Sequence, residues 1–226
     1  MRLAVLYDIH GNLPALEAVL DAARSDGAEG YLVGGDIAML GPDPSACVDA
    51  VRALGAALVQ GNTDRSIAAG RTEQPAVAWA IEELGEDRVA WLASLPNGQT
   101  LDDSRVLAVH ASPRGDEDGI DETASEAALA ALLEEHLPDS VELLFVGHTH
   151  IQFEREIRRF RLVNPGSVGF PFDGDERAAW ALLEDGEVEL RRTAYDVGET
   201  LRRIAGSSQP AAVRELATRR LATARP

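Results

Sequence analysis

The chain has 226 residues, 45% of them hydrophobic, which suffices for a sizeable core within one domain, and its formal net charge is −17. That charge excludes a broad electrostatic interface for nucleic acid or anionic lipid, because such binding needs a basic surface that displaces counterions. The lone Cys47 excludes an internal disulfide framework, no apolar run is long enough to span a bilayer, and Met1-Arg2-Leu3 enters a strand rather than a signal peptide, so no membrane partner and a cytoplasmic location are expected.

An apolar run over residues 2–7 predicts a strand that ends at Asp8-Ile9-His10-Gly11-Asn12. Leu13, Leu16, Val19, Leu20 and Ala23 then keep helical spacing, and Asn12 before Leu13-Pro14 is placed to cap that helix. Capping is the favoured role, and because a helix N-terminus also favours a phosphate oxygen, Asn12 is a candidate substrate contact as well. Strands over 30–35 and 57–61 lead to Asp36 and Asn62, and Cys47 between them reads as a buried helix residue. Residues 75–95 are helical with a break at Gly85. Trp79 and Trp91 add apolar area, so this stretch reads as core or as part of a cap-like insertion at about 65–96.

Strands over 105–109 and 142–147 lead to His110 and to His148-Thr149-His150. Arg114 follows His110 closely and carries a fork suited to a phosphate, and the acidic loop 116–122 comes next. His136 ends a helix with no partner motif and reads as structural or exposed. After the histidine pair come consecutive strands at 151–157, 159–163, 178–183 and 187–195, with Asp185-Gly186 as a hairpin signal. Asn164-Pro165-Gly166-Ser167 is a tight turn that is also a candidate support for the site. Residues 199–226 carry six arginines against two glutamates, a net of +4, and Val213, Leu216, Ala217 and Leu221 trace one face. This C-terminal helical extension, at about 197–226, is expected to pack on the body or on a second subunit, the latter giving a homo-oligomer.

Asp8, His10, Asp36, Asn62, His110, His148 and His150 thus all follow strand ends, where neighbouring strands of a covered sheet converge on one rim. Imidazole, carboxylate and amide donors together suit Mn²⁺, Fe, Zn²⁺ or Ni²⁺ better than Mg²⁺ or Ca²⁺. Seven donors exceed the needs of one closed site, and a central carboxylate can bridge two cations.

These segments, in this order, with Gly35-Asp36, Gly61-Asn62-Thr63-Asp64 and Gly147-His148-Thr149-His150, resemble the calcineurin-like metallophosphoesterases. Asn164-Pro165-Gly166-Ser167-Val168-Gly169 resembles the small bacterial and archaeal branch. The resemblance implies a four-layer αββα sandwich of two mixed sheets flanked by helices, which the strand pattern also suggests. It implies that Asp8, His10, Asp36 and His150 hold one divalent metal and Asp36, Asn62, His110 and His148 the other. Manganese is the leading expectation, with a metal-activated hydroxide attacking phosphorus in line and Asp36, Asn62 and His110 central to catalysis.

One position departs from the family. In the protein phosphatase branch a histidine follows the motif asparagine and protonates the leaving group; here it is Thr63, whose hydroxyl has no proton-transfer pKa near neutrality. The expected activity is therefore hydrolysis of a phosphodiester in a small phosphorylated molecule, with a dinucleoside polyphosphate anhydride or a phosphomonoester as alternatives. A non-catalytic scaffold of the same fold would be expected to lose ligands, and none is missing.

Overall fold

The computed structural model describes residues 1–102 and 105–226. Strand β1 (Arg2–Leu6) runs into helix α1 (Leu13–Ser25), followed by β2 (Gly30–Val33), α2 (Pro44–Ala53), β3 (Ala57–Leu58), α3 (Asn62–Ala68) and α4 (Pro75–Ala93). Next come β4 (Gly98–Leu101), β5 (Val106–Val109), α5 (Glu126–His136), β6 (Leu143–Phe145), β7 (Phe153–Ile157) and β8 (Phe160–Asn164). The chain closes with β9 (Ala178–Glu184), β10 (Glu187–Thr193), α6 (Val197–Gly206) and α7 (Ala211–Thr223).

The described strands form two five-stranded sheets, ordered β10-β9-β1-β2-β3 and β4-β5-β6-β8-β7. In the first, β1, β2 and β3 are parallel; in the second, β5, β6 and β8 are. Each parallel trio sends its carboxyl ends to one rim, and the antiparallel β9, β10, β4 and β7 complete the edges.

Alternation along β1 generates the layers. Leu3, Val5 and Tyr7 face the second sheet, packing with Leu32, Val59, Val106, Ala108, Phe145 and Val163. Ala4 and Leu6 face outward onto α1, α2 and α4 through Leu16, Val19, Val48, Val51, Trp79 and Leu84. On the far side Leu129 and Leu133 of α5 cover Leu144, Ile157 and Leu162. Helices, two sheets and helices make the expected αββα sandwich.

Three local differences from the sequence reading have physical reasons. Strand β3 is two residues long because Gln60 leaves the sheet and its N–H donates to the Pro96 carbonyl at 2.7 Å. Strand β4, Gly-Gln-Thr-Leu, has little strand propensity of its own and exists through antiparallel pairing with β5. Helix α3 starts at Asn62 because the Asp64 carboxylate accepts the Gly61 N–H at 3.1 Å.

The expected helix break and hairpin are both present. Gly85 breaks α4 with φ +70, and the hairpin residues Asp185 and Gly186 have φ +52 and +85. Val77, Trp79, Ala80 and Leu84 of α4 lie in the core, and Arg65, at the start of the segment 65–96, lines a cavity at the rim. The α7 face of Val213, Ala217 and Leu221 is buried against this chain's own body. Among the described residues no helix is long and apolar enough to cross a membrane.

Candidate metal centre

The sequence-predicted ligands meet where the two parallel trios converge. Asp8, His10, Asp36, His110 and His150 are all buried, at 5% exposure or less. Five of the ten described non-glycine residues with positive φ are predicted ligands: Asp8 (+53), His10 (+49), Asp36 (+55), His148 (+67) and His150 (+58). Such backbone is uncommon for side-chain-bearing residues and persists where the surroundings hold it at a functional site. The glycines of the motifs have a matching reason: a Cβ on Gly61 would lie 2.1 Å from Asp36 Oδ1, and one on Gly147 would lie 2.8 Å from Asp8 Oδ2.

Hydrogen bonds to carbonyls fix three imidazoles. His10 Nδ1 donates to Met39 O at 3.0 Å, His110 Nδ1 to Gly34 O at 2.8 Å and His150 Nδ1 to Phe170 O at 2.6 Å. A carbonyl only accepts, so each Nδ1 carries the proton and each Nε2 turns a bare lone pair to the centre when the ring is neutral. His10 Nε2 and His150 Nε2 are 3.1 Å apart. His110 Nε2 lies 3.0 Å, and His148 Nδ1 3.1 Å, from Asn62 Oδ1. Two lone pairs that close repel, and a cation between them removes the repulsion. Asp8 Oδ1, fully buried and without a hydrogen-bond partner, points the same way.

The carboxylates tie the two halves together. Asp36 Oδ2 is 3.5 Å from His10 Nε2, and Asp36 Oδ1 is 3.5 Å from His110 Nε2. Asp8 Oδ1 is 3.5 Å from His150 Nε2 and 4.0 Å from His110 Nε2. The donor atoms gather as Asp8, His10 and His150 on one side and Asp8, Asp36 and His110 on the other, so either group could hold a divalent metal.

Electrostatics agree with ligand duty. Burial, only partly offset by Asp36, pulls the His10 pKa down to about 4, keeping the ring neutral. Burial also lowers His148, assisted by the neighbouring His110. For His110 burial pulls downward, but Asp36 and Asp8 outweigh it and the net shift is up. Burial pushes Asp8 upward, yet the surrounding imidazoles of His150, His110 and His10 hold it well below the carboxylate range. Asp64 is pushed up to about 7 by burial and the Asp36 charge. Its carboxyl accepts the N–H groups of Asp36 (2.8 Å), Ile37 (3.0 Å) and Gly61 (3.1 Å), locking the backbones of two ligand loops together.

The remaining candidates separate. Asn12 is fully buried and its side chain is spent: Oδ1 accepts from Ala15 N and Thr200 Oγ1, and Nδ2 donates to Gly169 O and Tyr195 Oη. These bonds use both acceptor and both donor positions of the amide, and the one to Ala15 N makes Asn12 the cap of α1. Arg114 lines a cavity of about 320 Å³ with Arg65, Asn97, His110 and Ser112, beside the ligands. A larger groove of about 710 Å³ opens at the opposite ends of the strands, by Leu3, Val106 and Leu143. Its arginines Arg105, Arg158, Arg159 and Arg161 are each paired with a carboxylate, and among the described residues it carries no ligand cluster. His136 is exposed and, among the described residues, bonds only to Leu132 O of its own helix.

Of the residues that brace the candidate ligands, the sequence pointed to the turn at Asn164-Pro165-Gly166-Ser167 but not to the backbone carbonyls. Asn164 Nδ2 donates to Gly147 O and Thr149 Oγ1, and Ser167 Oγ donates to Asp8 O while accepting from Phe170 N. The Asn-Pro-Gly-Ser turn was a visible signal for these. Met39, Gly34 and Phe170 act through carbonyls, which no side-chain pattern reveals.

Comparison with known proteins agrees with this centre. The model of the calcineurin-like phosphoesterase superfamily domain matches residues 1–186. An uncharacterized protein of Methanocaldococcus jannaschii is 28% identical over 242 residues, covering 92% of this chain and 93% of its own. A metallophosphoesterase structure from Sphaerobacter thermophilus superposes with a TM-score of 0.82 at 28% identity, covering 99% of this chain and all (100%) of that one. A structure from Pyrococcus horikoshii OT3 gives a TM-score of 0.85 at 24% identity, covering 96% and 97% of the two chains, and so shares the fold. With the family model spanning most of its length, the chain belongs to the calcineurin-like phosphoesterase superfamily and is a metallophosphoesterase.

Proposed function

We propose that the protein hydrolyses a phosphodiester bond of a small phosphorylated substrate with the help of two divalent cations. In this reading Asp8, His10, Asp36 and His150 hold one cation and Asp36, Asn62, His110 and His148 the other, with Asp36 between them. The observation that carries it is the pair of facing contacts, His10 Nε2 to His150 Nε2 at 3.1 Å and His110 Nε2 to Asn62 Oδ1 at 3.0 Å, each of which calls for its own positive charge. Nitrogen and oxygen donors without sulfur favour Mn²⁺, with Fe, Zn²⁺ and Ni²⁺ as the other candidates. When bound, the cations supply activation of water and neutralisation of charge on the phosphoryl oxygens.

The chain's own residues do the rest. The carbonyl-anchored imidazoles and the Asp64 clamp keep the donor atoms from reorganising, and the adjoining cavity of about 320 Å³ seats the substrate. Arg114 at its wall is half exposed, with only a long 3.9 Å contact to Asp118, and is free to turn to a phosphate oxygen. Thr63 selects the leaving group: its Oγ1 is buried without a partner and donates no proton at neutral pH, which favours a leaving group that departs unprotonated. The same feature supports a nucleotide anhydride as second reading over an alkyl phosphomonoester.

The test is hydrolysis of bis-para-nitrophenyl phosphate by the purified protein with Mn²⁺ added, followed by a panel of cyclic nucleotides, dinucleoside polyphosphates and monoesters. No turnover with any of Mn²⁺, Fe²⁺, Zn²⁺ or Ni²⁺ would refute the proposal. A preference for polyphosphates over every diester would replace it with the second reading.

A further inference from the structure

The last forty residues lie beyond the family match, which ends at residue 186, yet they grip one half of the centre. Leu40, Phe170, Ile204, Ala217 and Leu221 form one apolar cluster, joining α6 and α7 to two loops. Those loops carry the carbonyls that aim two imidazoles: Met39 O, next to Leu40, receives His10 Nδ1, and Phe170 O receives His150 Nδ1. Between α6 and α7 sits Gln209, 1% exposed, whose Nε2 donates to Leu40 O at 2.9 Å and Gly41 O at 3.0 Å.

What Gln209 holds is strained. Leu40 has φ +91, a conformation that costs a side-chain-bearing residue free energy unless its surroundings enforce it. The clamped segment also reaches the first ligand loop directly, because Gly41 N donates to His10 O at 2.7 Å and Asp43 N to Gly11 O at 2.9 Å. Helix α6 adds Thr200 to Asn12 at 2.9 Å and Arg203 to Asp43 at 3.2 Å. The other half is anchored elsewhere: His110 is held on Gly34 O of the loop after β2, which lies outside the cluster with α6 and α7.

We propose that Gln209 is a positioning residue for the His10 and His150 half of the centre, acting through the backbone of residues 39–41, and that α6 and α7 are a constituent of that half. The proposal rests on the two-cation reading of the site. Without the two amide hydrogens Leu40 O and Gly41 O lose their buried donors, Leu40 relaxes from its left-handed backbone, and the Met39 carbonyl no longer fixes the His10 ring. Loss of a group that orients a ligand typically weakens metal affinity about 10–100-fold. Here that loss falls on one ion of the pair.

The experiment is Mn²⁺ titration of full-length protein by calorimetry, with metal content and the Mn²⁺ paramagnetic resonance spectrum read in parallel. Wild type should bind two ions and show the spectrum of a coupled pair. Gln209→Met, similar in volume but without the amide, should weaken one ion about 10–100-fold, leave the other unchanged and give the spectrum of an isolated ion. Gln209→Asn, one methylene short, should give a smaller loss at the same ion and serves if the Met variant fails to fold. Leu129→Ala, which loosens α5 on the second sheet, should lower the melting temperature and leave both affinities intact. Unchanged binding in both Gln209 variants, or equal weakening of both ions in step with melting temperature, would overturn the proposal. A wild type that binds a single ion would overturn the two-cation reading and this proposal with it, whereas activity on phosphodiesters is measured separately.

Discussion

His10 and His150 bring their Nε2 atoms to 3.1 Å, although each has already given its Nδ1 proton to a carbonyl. Two Nε2 lone pairs have no reason to adopt that approach, and both rings lie in a buried pocket with Asp8 and Asp36. The fold therefore stores a repulsion that a cation relieves. Mn²⁺ at a hundredfold excess over its dissociation constant should stabilise the native state by about 2.7 kcal/mol. For a chain of this size that is a rise of roughly 5–10 °C in melting temperature over the protein in EDTA. Equal melting temperatures with and without metal would contradict the cation assignment.

Asp36 stands between the two donor groups, 3.5 Å from both His10 and His110. Asp36→Asn should lower phosphodiester turnover at least about 100-fold and reduce bound metal, because a bridging charge is lost. His136→Ala, at an exposed helix end, should leave both unchanged. Comparable losses in the two variants would be incompatible with this site.

The Asp64 carboxyl, pushed up to about 7 from its usual 3.8, makes the metal-free protein pH-sensitive. A carboxyl that holds its proton more tightly folded than unfolded contributes stability fully below about pH 4 and loses it as pH rises through about 7. Urea unfolding in EDTA at pH 5 and pH 8 should show wild type losing more stability over that interval than Asp64→Asn, which has no proton to lose. Added Mn²⁺ should flatten the difference by neutralising Asp36. A wild type that gains on the variant as pH rises would reverse the assigned direction.

Thr63 Oγ1 is buried without a partner, so replacing it costs no hydrogen bond within the protein. Thr63→Val should melt at the same temperature or slightly above. It should also hydrolyse a para-nitrophenyl diester within about threefold of wild type, since that leaving group needs no acid. A tenfold loss of turnover would show that the hydroxyl contacts substrate.

Arg114 predicts an effect on binding rather than on chemistry. A charge-assisted hydrogen bond from a half-exposed side chain is worth about 1 kcal/mol after screening, so Arg114→Ala should raise KM roughly five- to tenfold with kcat nearly constant. A fall in kcat at unchanged KM would move Arg114 from seating the substrate to the reaction itself.

The candidate ligand set was legible in the sequence because each member comes just after a strand-like apolar run, and parallel strands send the loops at their carboxyl ends to a common rim. Asp8, Asp36, Asn62, His110 and His148 could be read that way without knowing which strands pair. Burial of the sheet on both faces was legible too, since the continuous apolar run Leu3-Ala4-Val5-Leu6 fits a strand covered on both sides. Strand β4 was not, because its pairing with β5 supplies what its own residues lack.

What the tertiary structure alone decided concerns groups that carry no local signature. Asn12 could cap or bind phosphate from sequence, and only the arrival of Thr200, Tyr195 and Gly169 from far along the chain exhausted its hydrogen bonds. The carbonyls of Met39, Gly34 and Phe170 are invisible in sequence, since every residue has one and only folding aims it. Gln209 sits 169 residues from Leu40 and belongs to no motif. Local periodicity fixes which residues lie at strand ends, whereas the orientation of a ligand depends on buried polar contacts between distant segments, which exist only once the layers have closed.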